Sequence, residues 1–289
     1  MSLTLQLFTH QFHAMGSPCC LQFYCISEAV FNNVAEKIVQ EVARLECKYS
    51  RYLADSLVSK INTNAGLRPT AVDNETQAIC QYAATAYHLS DGLFDVTSGT
   101  LRKIWDVKSQ RKPDTSLIPS LLSLVNWSKV TIEGNELWLP KRGMEIDLGG
   151  IVKEYAADSA KSIACQHEIQ HGIINLGGDI AVIGAHPNNS PWHIGISKPT
   201  ESNCAIASLP ATSGAVASSG DYERFIMLNN VKYSHIVNPK TGWPVNGFAG
   251  VSVWAPQCVV AGTIATIAML KEEQAGLDWL RESGLPFVA

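Results

Sequence analysis

The sequence predicts an α+β fold on three observations. Helical and strand patterns are grouped along the chain more than they alternate, which disfavours a doubly wound sheet. The 289 residues are 46% hydrophobic and 17% charged, ordinary for a chain with a real core. That length suits one large domain or two intimately packed lobes, and no shift of composition marks a boundary. A single domain over residues 1–289 is therefore expected.

The elements follow in order. A short strand is expected at Cys19–Ile26. Val30, Val34, Ile38, Val42, Leu45 and Tyr49 then recur at helical spacing. A second helix is expected from Asn74 to Leu89, stopping at Gly92. The basic stretch KSQRKPDTS, residues 108–116, reads as a surface loop. KVTIEGNELWLP reads as a hairpin, with Gly134 and Asn135 between two alternating runs. Further strands are expected at Gly172–Gly184, Trp192–Ser197, Ala205–Leu209, Arg224–Leu228, Val231–His235 and Gly250–Trp254. Helices at Val259–Lys271 and Leu277–Arg281 close the chain.

Composition excludes some functions. A net charge of −4 gives no electrostatic support to a nucleic-acid partner. The start, MSLTLQLFTHQFHAMG, lacks the basic and apolar regions of a signal peptide, and no later segment suits a bilayer span. The eight cysteines show no C-x-x-C spacing and read as buried thiols. A cytoplasmic protein is expected.

The richest stretch runs from Met144 to Gly184: MEIDLGG, then IVKEYAADSAKSIA, then GIINLGGDIAVIG. It reads as strand, glycine turn, helix, then strand with a second glycine turn ending in Asp179. Glycine lets backbone approach a ligand closely, and a helix opening after such a turn presents free N–H groups suited to phosphate. Asp147, Asp158 and Asp179 bracket these turns. Neither G-x-G-x-x-G nor G-x-x-x-x-G-K-[ST] occurs.

Other segments admit two readings. HEIQH at His167–His171 matches the H-E-x-x-H zinc protease pattern, but Gly172 follows at once, so capping of a helix end competes with zinc binding. FDVTSGTLRKIWD at Phe94–Asp106 reads as a loop of Asx and Ser/Thr turns or as a ligand loop. His235 ends a strand before the turn Asn238-Pro239-Lys240-Thr241-Gly242, where a structural or a functional histidine fits. In AGTIATIAML, Ala261, Gly262, Ala265 and Ala268 let another backbone pack close, while Thr263 and Thr266 face a ligand or back-bond to the helix.

Together and in this order, these segments resemble the ApbE family, the FAD:protein FMN transferases. The pattern adds Ala14-Met15-Gly16-Ser17 and YSRYLADSLVSKIN at Tyr49–Asn62 to the segments above, and ends at the small-residue helix from Ala261. It spans about Met15 to Leu270.

The resemblance implies an α+β structure of two closely joined lobes of mixed or antiparallel sheet with packed helices, related to the T-fold, with a flavin site between the lobes. It implies FAD as substrate, Mg²⁺ as metal, and transfer of FMN to a threonine or serine of an acceptor flavoprotein with release of AMP. Met15 and Tyr52 would help enclose the dinucleotide, and Phe94 and Asp95 would bind through backbone. Gly149, Gly150 and Lys153 would face phosphate. His235 would be the catalytic base, with Ile236 beside the flavin and Lys240 where many members carry arginine. The family's small-residue helix usually carries an aspartate that binds the metal; Gly262 stands there, while Thr266 remains. Thr266, backbone oxygen near Gly150, and Glu154 as substitute acid then form the expected metal set. On this reading Gly262→Asp should tighten Mg²⁺ binding. A weakly catalytic flavin-binding protein, an FAD pyrophosphatase of the same fold, and an H-E-x-x-H zinc metalloprotease are the alternatives.

Overall fold

A computed structural model describes residues 4–106, 113–197, 205–221, 225–228 and 230–289. Its first half holds β1 (Gln6–Ala14), β2 (Ser17–Cys25), α1 (Glu28–Tyr49), α2 (Leu57–Thr63), β3 (Thr70–Ala71) and α3 (Asn74–Leu89). A 3₁₀ turn at Gly99–Lys103 leads towards α4 (Ile118–Leu122), then β4 (Thr131–Glu133) and β5 (Glu136–Trp138). The second half holds α5 (Val152–Gln166), β6 (Gly172–Leu176), β7 (Asp179–Ile183), β8 (Trp192–Ser197), β9 (Ala205–Ala211) and β10 (Ala215–Gly220). It ends with β11 (Phe225–Leu228), β12 (Val231–Ser234), β13 (Gly250–Ala255), α6 (Cys258–Leu270), α7 (Glu273–Glu282) and β14 (Phe287–Val288).

The largest sheet among the described residues has seven strands in the order β1-β2-β6-β7-β10-β13-β14, every neighbouring pair antiparallel. Helices α1, α5 and α6 pack against one face. The β8–β9 hairpin covers the other, where Trp192, Ile194 and Ile196 meet Val182 and Val216. This is the grouped α+β architecture that the sequence predicts.

Local chemistry explains the elements that place the site. Helix α1 is capped by Ser27, which accepts from the Val30 N–H, and buries Phe31, Val34, Ala35, Ile38, Val42, Leu45 and Tyr49. Val30, expected on that stripe, is exposed. Each four-residue step advances about 40° past a full turn, so Val30 falls off the face and Phe31 replaces it. Helix α5 buries Ala156, Ala157, Ala160 and Ala164, small residues that let α1, α6 and the sheet approach closely. Helix α6 is buried on nearly every side, as a helix apolar all round must be. Glu75 of α3 binds Arg44 and Lys48 of α1 at 2.6 Å each and accepts from the Tyr155 hydroxyl of α5 at 3.2 Å.

Several sequence expectations are corrected. Strand β1 was not expected; it is an edge strand whose inward face, Phe8, His10, Phe12 and Ala14, is interrupted by a histidine and mostly only half-buried. Strand β10, Ala-Val-Ala-Ser-Ser-Gly, lacks the bulky residues that favour strands, yet it lies between β7 and β13 beneath α6. Cys47 and Cys165 are exposed, because they sit on the outer faces of α1 and α5; Cys19, Cys25, Cys80 and Cys258 are buried. The start of the 108–116 loop, and Arg224, lie outside the described residues, while Thr115–Leu117 forms a 3₁₀ turn. No helix among the described residues is long and apolar enough to cross a membrane.

Candidate functional site

Three turns converge. Met15 and Gly16 join β1 to β2 with φ of +51° and +73°. Gly177 and Gly178 join β6 to β7 with φ of +62° and +94°, a conformation that favours glycine. The two hairpin tips touch: the Gly177 N–H donates to the Pro18 carbonyl at 3.1 Å, and a Cβ on Gly177 would lie 2.5 Å from that of Ser17. The third turn, Gly149-Gly150, is exposed and leads into α5. Phe94 lies beneath it, its ring 3.7 Å from where a Gly150 side chain would begin. No side chain caps the start of α5; the Leu148 carbonyl accepts from the N–H groups of Ile151 and Val152 at 3.0 and 2.9 Å.

Lys153 ties these turns together. Its Nζ lies 2.8 Å from Asp179 Oδ2 and donates to the Gly177 carbonyl at 3.3 Å. Asp179 is only 1% exposed, so the cation is anchored on a buried acid. Reading the sequence singled out both residues, but not their contact.

Glu154, one residue on, is also buried. It faces Gly262 of α6, where an added Cβ would lie 2.6 Å from Glu154 Cγ and 2.7 Å from its Oε1. An aspartate at 262 would therefore have to move the end of the Glu154 side chain. Glu154 Oε2 has no hydrogen-bond partner among the described residues. Burial, then the Asp179 charge, push the Glu154 carboxyl well above the usual range, against the pull of Lys153. Thr266 lies one turn beyond Gly262 and is half-buried. Thr263 is taken up by the Tyr82 hydroxyl at 3.0 Å. Asp158 accepts from the Cys258 and Val259 N–H groups at 2.8 and 2.9 Å, so α5 caps α6.

Charged groups surround the Gly149 side of the site. Asp147 accepts from the Gly149 N–H at 2.9 Å and pairs with Arg51 and Arg102, each at 3.2 Å. Burial opposes its ionisation, but Arg102, Arg51 and the Gly149 N–H outweigh it and hold the carboxyl below its usual range. Arg102 also reaches the hydroxyl of Tyr52 at 3.4 Å, and Tyr52 is 67% exposed. The arginines were not identified as site residues, because only the fold brings them to the glycine turn. The Asp95 side chain faces inward: Oδ1 accepts from the N–H and hydroxyl of Thr97, and Oδ2 from the Trp127 N–H at 3.1 Å. It is the Asx turn that the residue types allow, and burial raises its carboxyl.

His235 follows β12 and is half-buried; Ile236 beside it is buried and belongs to the main apolar core. The loop after them docks through Gly242, whose carbonyl accepts from Trp105 Nε1 at 2.7 Å. This joins the His235 loop to the segment beginning at Phe94. Lys240 is exposed at the turn, its N–H donating to Asn238 Oδ1 at 2.9 Å.

The H-E-x-x-H string does not form the face that a zinc protease needs. Helix α5 ends at Gln166, His167 caps it, and Glu168 has φ of +60°. His167 accepts from Lys37 Nζ at 3.1 Å, and His171 Nδ1 meets the Ala185 carbonyl at 2.6 Å. Among the described residues, no three His, Cys, Asp or Glu side chains form a group that could hold a metal ion.

An antiparallel α+β fold with a lysine held at the β6–β7 glycine turn by a buried aspartate defines the class of structure to which the chain is compared. The model of the ApbE family matches residues 15–288, and the chain belongs to that family. It is 30% identical over 246 residues to an FAD:protein FMN transferase of Klebsiella pneumoniae (strain 342), covering 83% of this chain and 75% of the relative. The crystal structure of the ApbE protein of Thermotoga maritima superposes with a TM-score of 0.89 at 29% identity, over 98% of this chain and 93% of that one. The flavin transferase ApbE of Vibrio cholerae superposes with a TM-score of 0.86 at 25% identity, again over 98% and 93%.

Proposed function

We propose that this protein is an FAD:protein FMN transferase, moving FMN from FAD to a threonine or serine of an acceptor flavoprotein and releasing AMP. The observation that carries the reading is Lys153, held by Asp179 where the two glycine turns meet. That arrangement suits a diphosphate: close backbone, a fixed cation and the positive end of a helix. Met15 and Tyr52 flank the dinucleotide; Phe94 and Asp95 place the loop beneath Gly149 and Gly150. Ile236 lies beside the flavin, and Lys240 offers a second, exposed cation.

Magnesium fits the residues present, because Glu154 carries a buried oxygen without a partner. Glu154, Thr266 and backbone oxygen at Gly150 would hold it, and hard oxygen donors are what it prefers. When bound, the ion neutralises charge on the diphosphate. The acceptor hydroxyl oxygen attacks the FMN-side phosphorus, the bond to the AMP phosphate breaks, and His235 takes the hydroxyl proton.

The test begins with binding and turnover. Calorimetry should show tighter binding of FAD than of FMN; equal affinities contradict the reading. With Mg²⁺ and an acceptor, AMP should appear together with labelled acceptor. AMP alone identifies a pyrophosphatase, and flavin binding without AMP a non-catalytic protein.

A further inference from the structure

The acids between α5 and α6 are not equivalent. Asp158 is answered by two backbone N–H groups and Asp179 by Lys153. Glu154 is 7% exposed, and its Oε2 meets no hydrogen-bond donor among the described residues. A buried carboxylate oxygen left in that state is costly, and a hard cation is the partner that relieves it. On α6, the three nearest atoms to a Cβ on Gly262 all belong to the Glu154 side chain, at 2.6 to 3.0 Å. Gly262 is thus the hollow in which Glu154 sits, with Thr266 one turn on along α6.

We infer that the site holds its divalent cation through a single carboxylate whose seat is shared by two helices: residue 154 or residue 262 can supply it, but not both. This rests on the magnesium part of the proposed function and adds which residue carries the charge and why glycine faces it. Three consequences follow. Glu154 is the cation's only protein carboxylate. A side chain at 262 displaces Glu154 rather than assisting it. Moving the acid across the contact, with Glu154→Ala and Gly262→Asp together, preserves the site.

The test uses the full chain and Mn²⁺, read by electron paramagnetic resonance, with Mg²⁺ as competitor, in the presence and absence of FAD. The wild type should bind one Mn²⁺ that Mg²⁺ displaces. Glu154→Gln, close in shape, should weaken binding at least tenfold. Gly262→Asp alone should bind no better than the wild type, and the double variant should recover most of the affinity that Glu154→Gln loses. Thermal unfolding in chelator supplies a second readout. Glu154→Gln should raise Tm without metal and abolish the rise that Mg²⁺ gives the wild type. Unchanged Mn²⁺ binding in Glu154→Gln, no saturable binding in either arm, or tighter binding in Gly262→Asp than in the wild type overturns the inference. So does a folded double variant that binds no better than Glu154→Gln. None of these measurements involves an acceptor, so failure of FMN transfer is read separately.

Discussion

Lys153 shows how one side chain can couple distant parts of a sequence. It leaves the first turn of α5, reaches the β6–β7 turn and ends on a buried aspartate. Removing one partner of such a pair costs about 3–5 kcal/mol in a buried setting, and less here because Lys153 is partly exposed. Lys153→Ala should lower stability in urea denaturation, and adding Asp179→Asn should return part of the loss; strictly additive losses would mean the two are not coupled. At His235 the expected effect is kinetic. His235→Ala should slow FMN transfer by about 10²–10⁴-fold while FAD affinity stays within a few-fold. The reverse pattern, normal turnover with weakened FAD, would make His235 a binding residue. His167→Ala combined with His171→Ala should leave transfer within about tenfold of the wild type, because His167 caps α5 and pairs with Lys37 while His171 ties to the Ala185 carbonyl after β7. A larger loss in a steady-state assay would contradict that placement.

At the scale of elements, α1, α3 and α5 are joined by polar contacts at Glu75. Arg44 and Lys48 outweigh burial and hold the Glu75 carboxyl at about 2, below its ordinary 4.5. A depressed acid stabilises the fold fully above its unfolded value. Its contribution is therefore lost as pH falls from about 4.5 towards 2. Glu75→Gln should flatten the stability profile in that window and leave the slope near neutrality unchanged; an unchanged acid limb in denaturation curves would show that the contacts carry no net energy. The same scale separates what the sequence reveals from what it conceals. Helix α3 is legible because Asp73 caps it and Asp91-Gly92 end it in left-handed backbone. The β6–β7 turn is legible from its glycines. Strand β10 is not, because its small residues serve the close approach of α6 and mask its own pattern. The Glu154–Gly262 contact is hidden for a related reason. A glycine signals missing volume, but only the packed helices show which side chain fills it.

Across the whole molecule, the seven-stranded sheet places the β1–β2 and β6–β7 tips side by side, with α5 and α6 on one face. The Gly242 carbonyl, bonded to Trp105, docks the His235 loop on the segment that begins at Phe94. The order of motifs along the chain is enough to expect this family, since many of them mark turns and helix starts that can be read from glycine and capping residues. The ion pairs of Arg51 and Arg102 with Asp147 were not legible, because nothing in their spacing brings them together. The most direct measurement is the intact mass of a candidate acceptor flavoprotein after incubation with this protein, FAD and Mg²⁺. The account predicts a gain of one FMN on a single threonine or serine, absent with His235→Ala and absent when FMN replaces FAD. An unmodified acceptor, while an established transferase of the family labels the same acceptor under the same conditions, would contradict it.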